Sequence, residues 1–307
     1  MAGEEKSALV MMVTTAVLWG TSFPVATIGL RAGAGPLLFV FLRFSLAAPM
    51  MVVAAVMWKK SVLDLLKDWR VWALGATNMV GYVLQLVGQD NAEASIAALL
   101  VNFSVVIAAV GGAAFLRESF GRVKAVGVVI GVFGAGLVAT DGSLGGVGGS
   151  HAFGEALFLM AAVSWGGYIL YAKKVTDAGA EPVALASCVV LITALLTAPL
   201  AFLEGFQGIG WSAAGAVIYA ALFNTAVPFM LYQKALRHLP AGTSAVVLML
   251  EIVVALGVSS VLLAEPLTTL KLAGAAGVMI SALLVSGAEL RGKDLSVGDE
   301  GAVRGPR

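Results

Sequence analysis

The sequence predicts an all-α membrane protein, with ten transmembrane helices arranged as two inverted five-helix repeats. Three observations predict this fold: a very apolar composition, ten apolar runs of helical length, and an internal repeat with an odd number of spans. Of the 307 residues, 60% are hydrophobic and 12% are charged, against roughly 45–50% and about 25% in soluble domains. A soluble protein of this size could not bury so much apolar surface, and a disordered chain would not carry it.

Charge and cysteine content exclude several other classes of protein. The 19 basic and 18 acidic residues give a formal net charge of +1, so no basic surface for nucleic acid is expected. The single cysteine, Cys188, cannot form an intrachain disulfide. One thiol and two histidines do not supply the ligands of a zinc site. We therefore expect no disulfide scaffold, no metal ion and no nucleic-acid partner.

Ten apolar runs have the length of membrane-spanning helices. A bilayer core about 30 Å thick needs about 20 apolar residues in helical form. Because lipid cannot satisfy backbone polar groups, ten such runs predict a helix bundle. The runs begin near Ala8, Pro36, Val71, Ser95, Val123, Ala152, Pro182, Ser212, Ala241 and Leu270.

The distribution of Lys and Arg predicts the orientation. Sixteen of the 19 fall in segments that are cytoplasmic if the N-terminus is inside. Arg31 and Lys271 fall in outer segments, and Arg43 lies within a span. Short cytoplasmic loops of membrane proteins are enriched in basic residues, so both termini are expected in the cytoplasm. The longest polar break, Trp58 to Arg70, then becomes a cytoplasmic connector.

An internal repeat relates the two halves. "LWG" at Leu18–Gly20 aligns with "SWG" at Ser164–Gly166, an offset of 146, and the segment from Ala94 aligns with the segment from Ala241 at an offset of 147. Each copy holds five spans, and because five is odd the second copy enters the membrane upside down. Inverted repeats are typical of secondary transporters. The predicted domains are a first repeat at 8–140, a second, inverted repeat at 152–287, and a cytoplasmic tail at 288–307.

Several motifs carry a resemblance to a known family. They are "LWG" in the first span, Arg43 within "FLRFSLAAP", "AxxxALL…LxE" across the fourth span and the run Glu265–Ile280. With these, residues 8 to 287 resemble the EamA-type transporters of the drug/metabolite transporter superfamily. In layout the chain is most similar to the ten-helix amino-acid exporters, including those for aromatic amino acids. The resemblance implies a central cavity formed by the first, third, fourth, sixth, eighth and ninth spans. The chain departs from the family at a mid-helix proline, where it has Phe103-Ser104-Val105 in the fourth span.

Two charged residues inside spans are candidates for transport, because a charge at the bilayer centre costs about 2.5–3.5 kcal/mol. Glu251, near the middle of the ninth span, either holds two helices together or lies in a central cavity. In the cavity it would recognise a substrate ammonium or take up a proton. Arg43 either has a structural role, in which it pairs with carbonyl groups or extends toward the outer membrane interface, or it anchors a substrate carboxylate.

Amide and hydroxyl side chains form a predicted polar stripe. Asn78, Tyr82 and Gln85 lie four and three residues apart, which puts them on one face of the third span. Such a stripe either joins helices or lines the cavity. Asn224 occupies the equivalent place in the eighth span, and Asn102 adds a buried amide in the fourth.

Aromatic residues predict a pocket wall and two interfacial belts. Trp19 and Trp165 occupy equivalent depths well inside their spans, and with Tyr168 they predict an aromatic-lined pocket. Core packing is the alternative. The remaining tryptophans, at span ends, are expected in the interfacial belts: Trp58, Trp69, Trp72 and Trp211.

Two further patterns predict local geometry. Gly127-x-x-x-Gly131 in the fifth span, with Gly277 and Ser281 in the tenth, favours close packing of these two helices within one chain. Pro228 is expected to kink the eighth span.

The predicted function is that of a secondary active or facilitative transporter that exports amino acids or related small metabolites across the plasma membrane by alternating access. An exporter of cationic drugs or quaternary amines is the alternative, because the same aromatic and acidic residues suit a cation. The sequence contains no pairing of a nucleophile with a base inside the spans, so neither an enzyme nor a catalytic residue is expected. It contains no Walker A sequence and no strand-linked glycine motif, so neither a nucleotide nor another cofactor is expected. The expected partners are a small-molecule substrate and the lipid bilayer, for a monomer in a bacterial inner membrane. The predicted substrate-binding residues are Trp19, Arg43, Asn78, Tyr82, Gln85, Asn102, Trp165, Tyr168, Asn224 and Glu251.

Overall fold

The computed structural model describes residues 2–58, 61–91, 100–101, 103–115, 121–140, 152–206, 208–264, 267–281 and 283–284, and this part of the chain is all-helical. Helices occupy each of the ten predicted places, and the predicted all-α membrane class is confirmed. In the described residues, six helical segments are long and apolar enough to cross a membrane. Two further apolar helices, Val246–Leu262 and Thr269–Ser281, are shorter.

The first half of the chain supplies five spans, the first of which is interrupted at Thr21. A short helix, Val62–Leu65, lies in the connector between the second and third spans. Hydrogen bonds from Ser61 and Lys67 in this connector hold the pKa of the Asp64 carboxyl below its usual value. The helices are Ala2–Gly20 and Ser22–Arg31 (first span), Pro36–Met57 (second), Trp69–Asn91 (third), Phe103–Phe115 (fourth) and Arg122–Thr140 (fifth).

The second half supplies five more spans, two of which are irregular. The eighth contains a π-helical turn that ends two residues before Pro228. The distortion predicted at this proline therefore takes the form of a π-helical turn. The ninth is interrupted at Met249. The helices are Ala152–Asp177 (sixth span), Pro182–Glu204 (seventh), Trp211–Ala221, the π-helical turn Leu222–Ala226 and Val227–Leu236 (eighth), Ala241–Leu248 and Leu250–Leu262 (ninth), and 269–281 (tenth).

Proline and a carboxylate define the start of the second span. Pro36 occupies the first turn, where its missing N–H leaves no hydrogen bond unmade and its fixed φ suits a helix. The Glu204 carboxylate, at the end of the seventh span, accepts hydrogen bonds from the backbone N–H of Leu37 (3.2 Å) and Leu38 (2.7 Å). A negative group at a helix N-terminus is stabilising, so this cap joins the second span to the seventh.

The two halves of the chain pack into each other rather than side by side. The first span packs on the eighth and ninth, the third on the sixth, and the second on the seventh. Helices from both halves therefore surround the centre of the molecule.

Small residues bring the fifth and tenth spans together, as predicted from their sequence. The Ser281 hydroxyl donates to the carbonyl oxygen of Gly127 (2.6 Å). A Cβ on Gly134 would lie 2.6 Å from the carbonyl oxygen of Gly274. Only a residue without a side chain permits this approach, so the predicted packing within one chain is confirmed.

Candidate functional site

A cavity at the centre of the bundle is the candidate site. The same six spans that the family resemblance implies contribute to its wall. A lining of mostly apolar and aromatic side chains with a few polar groups is typical of small-molecule sites. The lining residues in the described part of the chain are Trp19, Ser22, Phe23, Tyr82, Gln85, Val101, Ser104, Trp165, Tyr168, Ile169, Tyr232, Leu248 and Glu251.

Most of these lining residues occupy equivalent positions in the two copies of the repeat. At the offset of 146, three residues of the first span align with three of the sixth. At the offset of 147, lining residues of the third and fourth spans align with those of the eighth and ninth. The two copies thus contribute the same parts of their helices to the wall. The aligned pairs are Trp19 with Trp165, Ser22 with Tyr168, Phe23 with Ile169, Gln85 with Tyr232, Val101 with Leu248 and Ser104 with Glu251.

Aromatic rings form a continuous part of the wall. The ring centroids of Tyr82 and Trp165 lie 4.8 Å apart in an edge-to-face arrangement, and those of Trp165 and Tyr168 lie 5.8 Å apart. Tyr168 stacks on Tyr232 at 6.2 Å, and Tyr232 contacts Trp19 at 5.4 Å. Edge-to-face pairs at these distances are attractive, so each ring helps to hold the next. The structure therefore brings the predicted Trp19, Trp165 and Tyr168 together in one pocket.

A glycine on the third span makes room for the Trp165 ring. A Cβ on Gly81 would lie 2.9 Å from Cε2 of Trp165 and 3.1 Å from its Nε1, both closer than the 3.5–4.0 Å at which carbon atoms pack favourably. Because Gly81 has no side chain, the Trp165 ring can pack directly against the third span, which leaves more of the cavity open.

The π-helical turn in the eighth span supplies a carbonyl group to one side chain of the wall and to one behind it. Pro228 has no N–H to donate to the carbonyl oxygen of Asn224 four residues earlier. That oxygen instead accepts hydrogen bonds from Trp19 Nε1 (3.0 Å) and Arg43 Nη2 (2.7 Å). The Asn224 side chain donates to the carbonyl oxygen of Leu18 and to the Thr21 hydroxyl. Asn224 therefore fixes the first span at its interruption, and lies behind the cavity wall.

Arg43 lies directly behind the lining residues, with 1% of its surface exposed. Its Nε donates to Thr225 Oγ1 (2.7 Å), its Nη1 to Ser22 Oγ (3.1 Å), and its Nη2 to both Tyr82 OH (3.2 Å) and the Asn224 carbonyl oxygen (2.7 Å). The guanidinium carbon also lies 4.6 Å from the Tyr82 ring centroid. Arg43 thus joins the first three spans to the eighth, and two of its partners line the cavity.

Glu251 contributes the acidic group of the wall. It follows the interruption of the ninth span at Met249. No described residue forms a hydrogen bond or ion pair with its carboxylate. A Cβ on Gly20 would lie 2.8 Å from the Glu251 carbonyl oxygen, so close contact between the first and ninth spans fixes the backbone beneath this side chain.

The predicted polar stripe of the third span divides between two surroundings. Tyr82 and Gln85 line the cavity. Asn78 is fully buried and donates from Nδ2 to Thr193 Oγ1 on the seventh span (2.9 Å). Asn78 therefore lies at a helix–helix contact. The remaining predicted residue, Asn102, lies outside the described residues.

Three polar lining residues were not among the predicted binding residues. Ser104 could have been found from the repeat, because it aligns with Glu251. Tyr232 aligns with the predicted Gln85 at the offset of 147, and its buried hydroxyl has no hydrogen-bond partner among the described residues. Ser22 is a small hydroxyl in an apolar helix, a pattern that does not distinguish a cavity from a helix contact.

The described wall of the cavity has few ionisable side chains. Its described lining contains one carboxylate, three phenols and two aliphatic hydroxyls, and no Lys, Arg, His or Cys. Nowhere in the described ranges do three or more His, Cys, Asp or Glu residues cluster in a way that could hold a metal ion.

Comparison with known proteins identifies the family. The sequence model of the EamA-like transporter family matches the chain twice, at residues 6–140 and 152–287. The chain belongs to the EamA-like transporter family. The resemblance inferred from its motifs is thereby confirmed, and the protein is a multi-pass membrane transporter.

Relatives of this EamA-like protein are also transporters. An uncharacterized transporter of Bacillus subtilis (strain 168) is 26% identical over 275 residues, covering 88% of each chain. A probable terminal-alkyne amino-acid exporter of Streptantibioticus cattleyicolor is 28% identical over 283 residues, covering 88% of this chain and 91% of the relative. A crystal structure with 19% sequence identity superposes with a TM-score of 0.78 over 91% of this chain and 96% of the other, which shows the shared fold.

Proposed function

We propose that this EamA-like transporter exports amino acids or related small metabolites across a bacterial plasma membrane, by secondary active or facilitative transport. The substrate binds in the central cavity, and the two halves rock about it in alternating access. The protein works as a monomer. Both of its termini lie in the cytoplasm, an orientation that the distribution of Lys and Arg favours. It has no enzymatic activity.

One observation carries the proposal: the Glu251 carboxylate lies in an aromatic cavity without a hydrogen-bond or ion-pair partner among the described residues. A buried charge is costly unless it is paired. An amino group of a substrate would supply the missing partner, and the faces of Trp19 and Trp165 favour a cation beside them. The relative named as a probable amino-acid exporter supports the same substrate class.

Export of cationic drugs or quaternary amines is the second candidate. The observation that favours it is the same combination of a carboxylate and aromatic rings, which also suits a cation without a carboxylate. The two candidates differ in whether the cavity has a place for a second, negatively charged group.

The test is flux of radiolabelled substrates in proteoliposomes, with and without a pH gradient. We expect saturable flux of neutral or aromatic amino acids, with counterflow, and loss of that flux in the Glu251→Gln variant. The matched control is Asp177→Asn, which removes an exposed carboxylate at the end of the sixth span and leaves flux unchanged. Flux of quaternary cations alone would favour the second candidate. Absence of saturable flux for every substrate, or full flux in Glu251→Gln, would overturn the proposal.

A further inference from the structure

We infer that the hydroxyls of Ser22 and Tyr82 form a subsite for the carboxylate of the substrate, with Arg43 behind them as a positioning and charge-supplying residue. The inference rests on the proposed function and narrows it. The preferred substrates are then zwitterionic amino acids rather than amines without a carboxylate.

The hydroxyls of Ser22 and Tyr82 keep protons that no described residue accepts. Ser22 Oγ and Tyr82 OH each accept a hydrogen bond from Arg43, at 3.1 and 3.2 Å. A hydroxyl that accepts a hydrogen bond keeps its own proton to donate. No described residue accepts a hydrogen bond from either hydroxyl, and both residues line the cavity. Two donors are therefore available to a group bound in the cavity.

Arg43 places a positive charge directly beside these two hydroxyls. Its hydrogen-bond acceptors are three hydroxyl oxygens and one backbone carbonyl oxygen, all of them neutral. No carboxylate among the described residues lies within ion-pair distance of the guanidinium. A buried cation that has only neutral partners attracts an anionic group.

Arg43 acts through these hydroxyls rather than by direct contact with the substrate. A guanidinium has five N–H donors, and four hydrogen bonds from Arg43 are already made within the bundle. Only 1% of the residue is exposed. A bidentate contact with a substrate carboxylate would require breaking these bonds. The carboxylate therefore meets Ser22 and Tyr82, whose O–H groups are polarised by the cation behind them.

The two charged residues come from different copies of the repeat. Arg43 belongs to the first copy of the repeat, and the residue aligned with it in the second copy is Val189. Glu251 belongs to the second copy, and the residue aligned with it in the first copy is Ser104. The repeat therefore duplicates neither charge: the first copy supplies the cation behind Ser22 and Tyr82, and the second copy supplies the carboxylate in the wall. An amino acid, with its ammonium at Glu251 and its carboxylate at the hydroxyls, would match both.

The experiment compares an amino acid with its carboxamide, which keeps the ammonium but loses the negative charge. The amino acid is the best-transported member of the panel used for the proposed function. We expect the wild-type protein to prefer the amino acid by about tenfold or more in KM, because hydrogen bonds to a charged group are the strong ones. Tyr82→Phe and Ser22→Ala should each raise the KM of the amino acid and leave that of the carboxamide nearly unchanged.

The matched control is Tyr232→Phe, which removes another phenolic hydroxyl of the wall, one that has no hydrogen-bond partner among the described residues, and it should affect both substrates alike. Arg43→Lys keeps the charge and should retain part of the preference that Arg43→Gln abolishes. Because Tyr82→Phe preserves ring size, it tests the subsite even if Arg43→Gln fails to fold. Equal transport of both substrates by the wild type, or a change of the KM ratio in Tyr82→Phe and Ser22→Ala no larger than in Tyr232→Phe, would overturn this inference alone. Absence of flux for every substrate would overturn the proposed function as well.

Discussion

Replacing Gly81 by alanine should narrow the central cavity without unfolding the protein. The new Cβ would lie 2.9 Å from Cε2 of Trp165, whereas carbon atoms pack favourably at about 3.5–4.0 Å. The Trp165 ring must therefore move by about 0.6 Å or more. It is the end of a side chain, half-buried and open to the cavity, so the direction open to it is inward.

The cost of this displacement should appear when substrate binds. In the empty protein the ring has room to move, but a bound substrate competes for the same space. Overpacking typically costs about 1–3 kcal/mol, and the lower end corresponds to about a fivefold rise in KM. We expect Gly81→Ala to raise the KM for bulky aromatic substrates by at least about this factor, and to affect small substrates less.

The assay is counterflow in proteoliposomes over a range of substrate concentrations, with the melting temperature in detergent as the measure of stability. Gly167→Ala is the matched control, because Gly167 lies on the same span as Trp165 and a Cβ there would meet nothing within 4 Å. Both variants gain the same helix propensity, about 1 kcal/mol. A KM for aromatic substrates that is equal in the two variants would refute the reasoning.

Two further predictions concern stability. Gly134→Leu should destabilise the packing of the fifth span on the tenth by about 1–3 kcal/mol, because the new Cβ would meet backbone atoms that cannot rotate away. Thermal unfolding in detergent checks this prediction, with Gly257→Leu as the control because a Cβ there would meet nothing within 4 Å. Equal melting temperatures of the two variants would contradict it. Glu204→Gln should destabilise the start of the second span by about 0.3–1 kcal/mol, since the side chain that caps this helix loses its charge. The melting temperature of the variant, measured at low ionic strength, should lie below that of the wild type. An unchanged melting temperature would argue against this contribution.

The sequence was sufficient for the spans and for part of the site, for a clear physical reason. Hydropathy locates helices because lipid tolerates few polar side chains, and the same cost makes Glu251 conspicuous in the ninth span. Small residues are informative because close backbone approach requires them, which is why the contact between Gly127 and Ser281 could be predicted.

The direction in which each helix face points was less accessible. Asn78 and Tyr82 share one face of the third span, yet Asn78 contacts the seventh span and Tyr82 the cavity. Helical periodicity gives the face but not the point along it where the neighbouring helix diverges. The partners of Arg43 were inaccessible for a similar reason, because Thr225 and the Asn224 carbonyl oxygen reach it only through the irregular turn of the eighth span.

That π-helical turn also records how the two copies of the repeat diverged. Up to Asn78 and Asn224 the copies align at an offset of 146, and from Ala94 onwards at an offset of 147, so the second copy carries one additional residue in between. A π-helical turn holds one more residue than an α-helical turn, and Leu222–Ala226 lies at this place. The helix thus accommodates the insertion within a single turn. Residues after the turn therefore point in the same direction as the residues aligned with them in the first copy. Tyr232 accordingly lines the cavity, as does Gln85, with which it aligns.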